Sequence, residues 1–309
     1  MTESDSRSRG DWLSTALRAL IALTLPAAVA AALATPATAA TTPPLDELLA
    51  RVGERIAEFY ERAQHMICIE RSTVQPIDRG MSPQGFARIV ESELRVEAAA
   101  DDVDGAAAFV REVRKVNGRA PRDKDRDDRA GCTDPTPLSL EPLTLLLPAH
   151  RADYEFRFAG LGKDRNRAVF LIDFKSIDSR SSVELIEDPA GHADCFDWSG
   201  HVASRGRVWV DATSYDVVRM ERGLRAMLDV RVPERIQRKH RLENSIVIER
   251  EDTTIRYRTV AFTAPDETLL LPESIESLII ARGGLQSTRR IQAYSDYRRF
   301  LGDARIIDE

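Results

Sequence analysis

Two groups of side chains in this sequence have the types that metal binding needs. His192, Cys195 and His201, with Asp194 and Asp197 beside them, offer the nitrogen, sulfur and carboxylate donors of a zinc site. A structural zinc also needs a second tightly spaced ligand pair, and the sequence shows none, so no metal is expected. Asp123, Asp125, Asp127 and Asp128 space their carboxylates like a calcium loop. The glycine at its sixth position and the closing glutamate are missing, and Lys124 and Arg126 insert opposing charge, so a solvated surface loop is expected.

The nucleophile and phosphate motifs fail in similar ways. Gly80-Met81-Ser82-Pro83-Gln84-Gly85 has one residue too many for a nucleophile elbow and contains a proline, which predicts a turn. Gly160-Leu161-Gly162 opens like a dinucleotide loop but reaches Arg165 where a third glycine belongs, which predicts a hairpin turn. His65, His150 and His240 are scattered. His65 lies three residues before Cys68, a spacing that puts the two on opposite faces of a strand. The sequence therefore assigns no catalytic residue and no cofactor, and the expectation is a protein that is not an enzyme.

The cysteines and the N-terminus point to export. Arg7, Arg9 and Arg18 precede an apolar run from Ala19 to Ala34, and Ala37-Thr38-Ala39 fits a signal peptidase site. Residues 1–39 are expected to be a signal peptide and 40–309 a single β-rich domain, periplasmic or secreted, with no permanent membrane span after cleavage. Cys132 and Cys195 sit in polar, loop-like surroundings and are expected to pair as a disulfide in an oxidising compartment. Cys68, inside Met66-Ile67-Cys68-Ile69, reads as a buried core residue. The charge balance of 44 basic against 50 acidic residues argues against a nucleic-acid partner.

The elements that would position any site are mostly strands. Leu45, Leu48, Leu49, Val52, Ile56, Phe59 and Tyr60 recur at helical spacing after Thr42, Pro43 and Pro44, giving an amphipathic first helix. Strands are expected in His65–Gln75, around Phe86–Val96, and in Phe109–Val116, where Asn117-Gly118 signals a hairpin. Pro135–Pro148 holds Leu138, Leu140, Leu143, Leu145, Leu146 and Leu147 and predicts a short leucine-rich helix capped by Ser139. Further strands are expected at Tyr154–Phe158, Ala168–Phe174, Arg205–Ala212, Asp216–Glu221, Ser245–Glu249, Thr254–Phe262, Leu269–Ala281 and Ser287–Phe300. The fold class is mainly β: a curled antiparallel sheet of about ten to eleven strands, a half-open barrel, with both helices packed on it.

Several segments carry a resemblance. Leu45-Asp-Glu-Leu-Leu-Ala-Arg-Val leads to Cys68-Ile-Glu-Arg, and Phe109-Val-Arg-Glu-Val leads to Val116-Asn-Gly-Arg and Arg122-Asp-Lys-Asp-Arg. Gly206-Arg-Val-Trp-Val-Asp is followed by Val217-Val-Arg-Met-Glu, and Leu271-Pro-Glu-Ser-Ile by Tyr294-Ser-Asp-Tyr-Arg-Arg-Phe. In these segments the chain resembles uncharacterised exported bacterial proteins. More distantly, and mainly in its second half, it is similar to the periplasmic lipoprotein carriers and RseB-type envelope-stress regulators, the LolA-like half-barrels. The resemblance implies a non-catalytic protein whose curved sheet takes an acyl chain or lipidated protein. Phe86, Val90, Leu94, Leu143, Leu146 and Trp209 are the candidate ligand-binding residues. The leucine-rich segment would then be either a lid or a filling of the barrel. A second reading is an envelope interaction or stress-sensor module, with Trp198 and Trp209 as contact residues. A third is a hydrolase with a site assembled across loops.

Overall fold

The computed structural model describes residues 43–62, 65–98, 107–123, 141–187, 196–263 and 265–299. The expected leader, Ser139, Cys132, Cys195, His192 and most of the Asp/Arg loop lie outside the described residues, and with them the expected disulfide. Cys68 is a buried free thiol.

Helix α1 (Leu45–Arg62) starts where the sequence places it. Leu48 N–H donates to the Pro44 carbonyl at 3.0 Å, and Asp46 and Glu47 face the positive end of the helix. Its stripe of Leu48, Leu49, Val52 and Ile56 is buried. The strands are β1 (Met66–Pro76), β2 (Arg88–Ala98), β3 (Ala107–Val116), β4 (Tyr154–Asp164), β5 (Arg167–Ser176), β6 (Ser182–Glu187), β7 (Phe196–His201), β8 (Ser204–Asp211), β9 (Val217–Leu224), β10 (Leu228–Arg231), β11 (Ser245–Thr263), β12 (Asp266–Arg282) and β13 (Thr288–Arg299). Among the described residues two short α-helices complete the fold, α2 (Glu141–Thr144) and α3 (Glu234–His240).

Eleven strands form one antiparallel sheet in the order β3-β2-β1-β13-β12-β11-β9-β8-β5-β4, with β10 added on β11. β6 and β7 pair separately. The sheet is a meander from β4 to β13, closed onto the first three strands by the β1–β13 pair. β3 and β4 remain its two edges, so the barrel is half open.

Four local readings change. Asn117 and Gly118, at φ 48° and 76°, do make a tight turn, closed by a single bridge between Val116 and Arg119, with no second strand after it among the described residues. The turn binds back to the start of β2, where Asn117 Oδ1 accepts from Ile89 N–H at 2.8 Å. Gly160-Leu161-Gly162 is not a hairpin turn. It lies inside β4, with Gly160 (φ 117°) at a bulge, and the turn falls on Arg165 and Asn166. Ser245–Glu249 and Thr254–Phe262 are one long strand, β11. The β6–β7 pair, β10 and α3 carry too little periodicity to be read from sequence.

Three apolar clusters pack against the sheet. α1 and Leu143, Leu145 and Leu146 pack on Phe170, Ile172, Phe174, Val208, Val210 and Met220. Met66, Cys68, Leu94, Leu271, Tyr294 and Tyr297 form the second. β10, α3 and the first part of β11 form the third, around Ile246 and Ile248. Arg151 clamps the leucine-rich segment to α1, its guanidinium donating to the Leu146 carbonyl at 2.8 Å and to the Leu49 carbonyl.

Candidate functional site

The clusters do not meet everywhere. Between them lies a cavity of about 280 Å³ walled by α1, α2 and strands β8, β9, β11, β12 and β13. Its origin is a partner exchange along β11. Ser245–Ile248 pair with β10 and Asp252–Arg256 pair with β9, with a register shift on the β12 side between Ile248 and Arg250. Glu251 sits at that junction. Where the neighbouring strand changes, side chains cannot interdigitate continuously, and space is left on the inner face.

The walls are of two kinds. Phe59, Leu143, Met220, Ile255, Tyr257 and Ile275 make an apolar side. The other side is polar, and its residues align in register: Arg222 faces Thr253, Thr253 faces Ser277, and Ser277 faces Arg290 across four adjacent strands. Gln292 continues the polar side on β13, where it is buried. Its amide donates to Glu70 Oε1 at 3.0 Å and to the Tyr294 hydroxyl at 3.1 Å. Glu70 is only 1% exposed and also accepts from Arg111 Nε at 2.9 Å. A charged pair this deep in a sheet is costly unless hydrogen-bonded, and Glu70 is.

No family model matches the chain, and no curated protein matches it. Solved structures do. A DUF1329 family protein from Desulfovibrio piger has a TM-score of 0.41 at 10% identity, covering 84% of this chain and 95% of that one. A LolA superfamily protein from Nitrosomonas europaea has a TM-score of 0.33 at 9% identity, covering 82% and 95%. The Pseudomonas aeruginosa MucA/MucB complex has a TM-score of 0.23 at 10% identity, covering 82% and 99%. The structural neighbours are thus DUF1329, LolA-type and MucB-type proteins.

Electrostatics distinguish the cavity from the other depressions. A trough of about 830 Å³ is larger and more open; Arg222 and Thr253 line it too, but several of its other charges pair with each other. In it Asp173 binds Arg207 at 2.6 Å and Arg157 at 2.7 Å, and Lys175 binds Glu155 at 2.7 Å. In the cavity Arg222 forms no hydrogen bond or ion pair among the described residues; its electrostatic partner is Glu251. Burial raises the Glu251 carboxyl, Arg222 opposes that rise, and Asp252 adds to it. Burial also pushes the Tyr257 phenol up and the Arg290 guanidinium down. The Ser204 hydroxyl, in a residue 1% exposed, has no hydrogen-bond partner among the described residues.

The expected ligand residues scatter. Leu143 lines the cavity and a small adjoining crevice of about 40 Å³ under the end of α1. Leu146 is fully buried against α1, so the leucine-rich segment fills as well as walls. Leu94 lies in the second apolar cluster, and Val90 is on β2 facing Ser72 and Val116. Phe86 is 99% exposed before β2 and lines none of these spaces. Trp209 is on the other face of the sheet: Val208 and Val210 take the inner positions, and the Arg219 guanidinium lies 4.4 Å above the indole. Trp198 belongs to β7, with its side chain outside what the structure describes.

Sequence reasoning missed Arg222, Glu251, Thr253, Ser277, Arg290 and Gln292. The available signal was polarity at both alternations of a strand, as in Glu251-Asp-Thr-Thr, which a filled core does not tolerate. Among the described residues no cluster of His, Cys, Asp and Glu could hold a metal, and no helix is long and apolar enough to cross a membrane.

Proposed function

We propose that this chain is an exported, non-catalytic binding protein whose cavity receives the apolar chain of an acylated ligand, a lipid or a lipidated protein. One observation carries this reading: a cavity of about 280 Å³ inside a half-open barrel, with one side apolar. Its size falls just below the usual range of small-molecule sites, about 300–1,000 Å³. Each methylene moved from water onto Phe59, Leu143, Met220 and Ile275 contributes about 0.8 kcal/mol. The N-terminal leader supports export, to the periplasm or beyond. Leu143, from the leucine-rich segment, serves as a wall.

Protein recovered from its own cell envelope should yield a stoichiometric acyl-containing molecule on denaturing mass spectrometry. Ile275→Trp, which fills the cavity, should abolish that signal while leaving the circular dichroism spectrum unchanged. Finding no lipid on either protein, together with no uptake of a fluorescent fatty acid, defeats the reading.

A second reading has its own observation. Phe86, 99% exposed, and Met81, 55% exposed, project from the segment between β1 and β2 and would suit an envelope protein partner. A pull-down that returns one stoichiometric partner, lost in Phe86→Ser, would favour it.

A further inference from the structure

An acyl chain accounts for only one wall of the cavity. The opposite wall places two guanidinium groups and two hydroxyls in one register row, Arg222-Thr253-Ser277-Arg290, on four hydrogen-bonded neighbours. Strands lie about 4.8 Å apart, so the two arginine backbones are about 14 Å apart, and both residues line the one cavity. A single small group between them is within the combined reach of both. The cavity lining carries two positive residues, Arg222 and Arg290, and one negative residue, Glu251. Glu70, just behind, already accepts from Arg111 and Gln292.

A second, independent observation also points to a missing ligand atom. Ser204 lines the same cavity, and its buried hydroxyl has no partner among the described residues. An unpaired buried hydroxyl costs stability that a ligand acceptor would restore. A wall of guanidinium and hydroxyl donors with a net positive charge recognises oxyanions, because a guanidinium fits two acceptor oxygens at once.

We propose that the ligand is an anionic amphiphile, whose carboxylate or phosphate docks between Arg222 and Arg290 while its chain lies along Phe59, Leu143 and Tyr257. This deepens the carrier reading and rests on it. The polar row is then a headgroup subsite. It selects among molecules that the apolar wall alone would bind alike.

The test uses the purified full-length mature chain and three probes of equal chain length: a fatty acid, the neutral monoacylglycerol and a lysophosphatidic acid. Inorganic phosphate is the fourth arm. Affinities come from displacement of a fluorescent fatty acid and from calorimetry. The two anionic probes should bind at least tenfold more tightly than the neutral one, as expected for one charge-assisted hydrogen bond. Arg222→Gln should bring that ratio close to one with the neutral affinity kept within about twofold, and Arg222→Lys should restore part of it. Unfolding curves for both variants establish that they are folded.

Equal binding of the anionic and neutral probes overturns the headgroup subsite and leaves the carrier reading intact. So does an unchanged ratio in Arg222→Gln. Binding of phosphate alone as tightly as lysophosphatidic acid also overturns it, in favour of a site for a free anion. Binding of none of the acyl probes overturns the carrier reading itself.

Discussion

Two stretches of one sheet face differ in what covers them. Under α1 and the leucine-rich segment, β5 and β8 present Phe170, Ile172, Val208 and Val210, which pack with the helical side chains into one buried cluster. Past Phe59, in the last turn of α1, β9, β11, β12 and β13 present Arg222, Thr253, Ser277 and Arg290 to open space. The same strand alternation builds both. The difference is the helical cover, which supplies apolar side chains to the first stretch and stops short of the second. A sheet whose inner face was wanted only for stability would have continued the first pattern. Holding arginines and a glutamate on an inner face costs stability, and the second stretch bears that cost.

The largest test of this contrast falls on Glu70, which anchors the polar stretch. Glu70→Gln removes the carboxylate that compensates Arg111, bonded at 2.9 Å, and raises the proton affinity of Arg290 nearby. Removing one partner of a buried ion pair typically costs about 3–5 kcal/mol. Urea unfolding should show a loss of that order. A loss below about 1 kcal/mol would mean that water already solvates the pair.

Leu146→Ala probes the filled stretch. The side chain is fully buried between α1 and the sheet, and truncation there should cost about 3 kcal/mol through transfer and cavity terms. Because Arg151 grips the Leu146 backbone carbonyl rather than its side chain, the clamp to α1 should survive. The apolar wall at Leu143 should therefore persist, and probe affinity should change little.

How legible these features were depended on pattern length. α1 shows seven apolar positions in register, and the leucine-rich segment is dense enough to stand out, so both were readable. The antiparallel meander followed from strands without crossover helices. The cavity was not readable, because it arises where β11 changes partner from β10 to β9, a long-range event with no local signature. Apolar residues were therefore expected to mark the site, and of the six only Leu143 lines the cavity. Trp209 shows why: its neighbours Val208 and Val210 are as apolar as it is, so alternation alone could not say which set faced inward.

A paired enlargement measures the contrast directly. Val208→Phe forces a ring into a filled layer and should cost about 1–3 kcal/mol. Ile275→Phe extends into the cavity and should cost less than about 1 kcal/mol, since no neighbour has to move. Equal costs, measured by urea unfolding, would erase the distinction between the two stretches.

Glu251→Gln has the smallest expected effect and asks whether the polar stretch exists for stability or for something else. Burial raises the Glu251 carboxyl, so the folded state favours its neutral form, with Arg222 opposing and Asp252 assisting. For a group whose folded pKa is raised, the stabilising contribution is fully present below the unfolded pKa, about 4.3 for glutamate, and is lost as pH rises through the folded value. Glutamine keeps the shape and does not titrate. The variant should therefore melt slightly higher than the wild type at pH 7, and the gap should close near pH 4. If the variant instead melts lower at pH 7, the Arg222–Glu251 attraction outweighs the desolvation of the carboxylate. The two residues would then form a structural pair like Glu70 and Arg111, and the polar stretch would need no ligand to explain it.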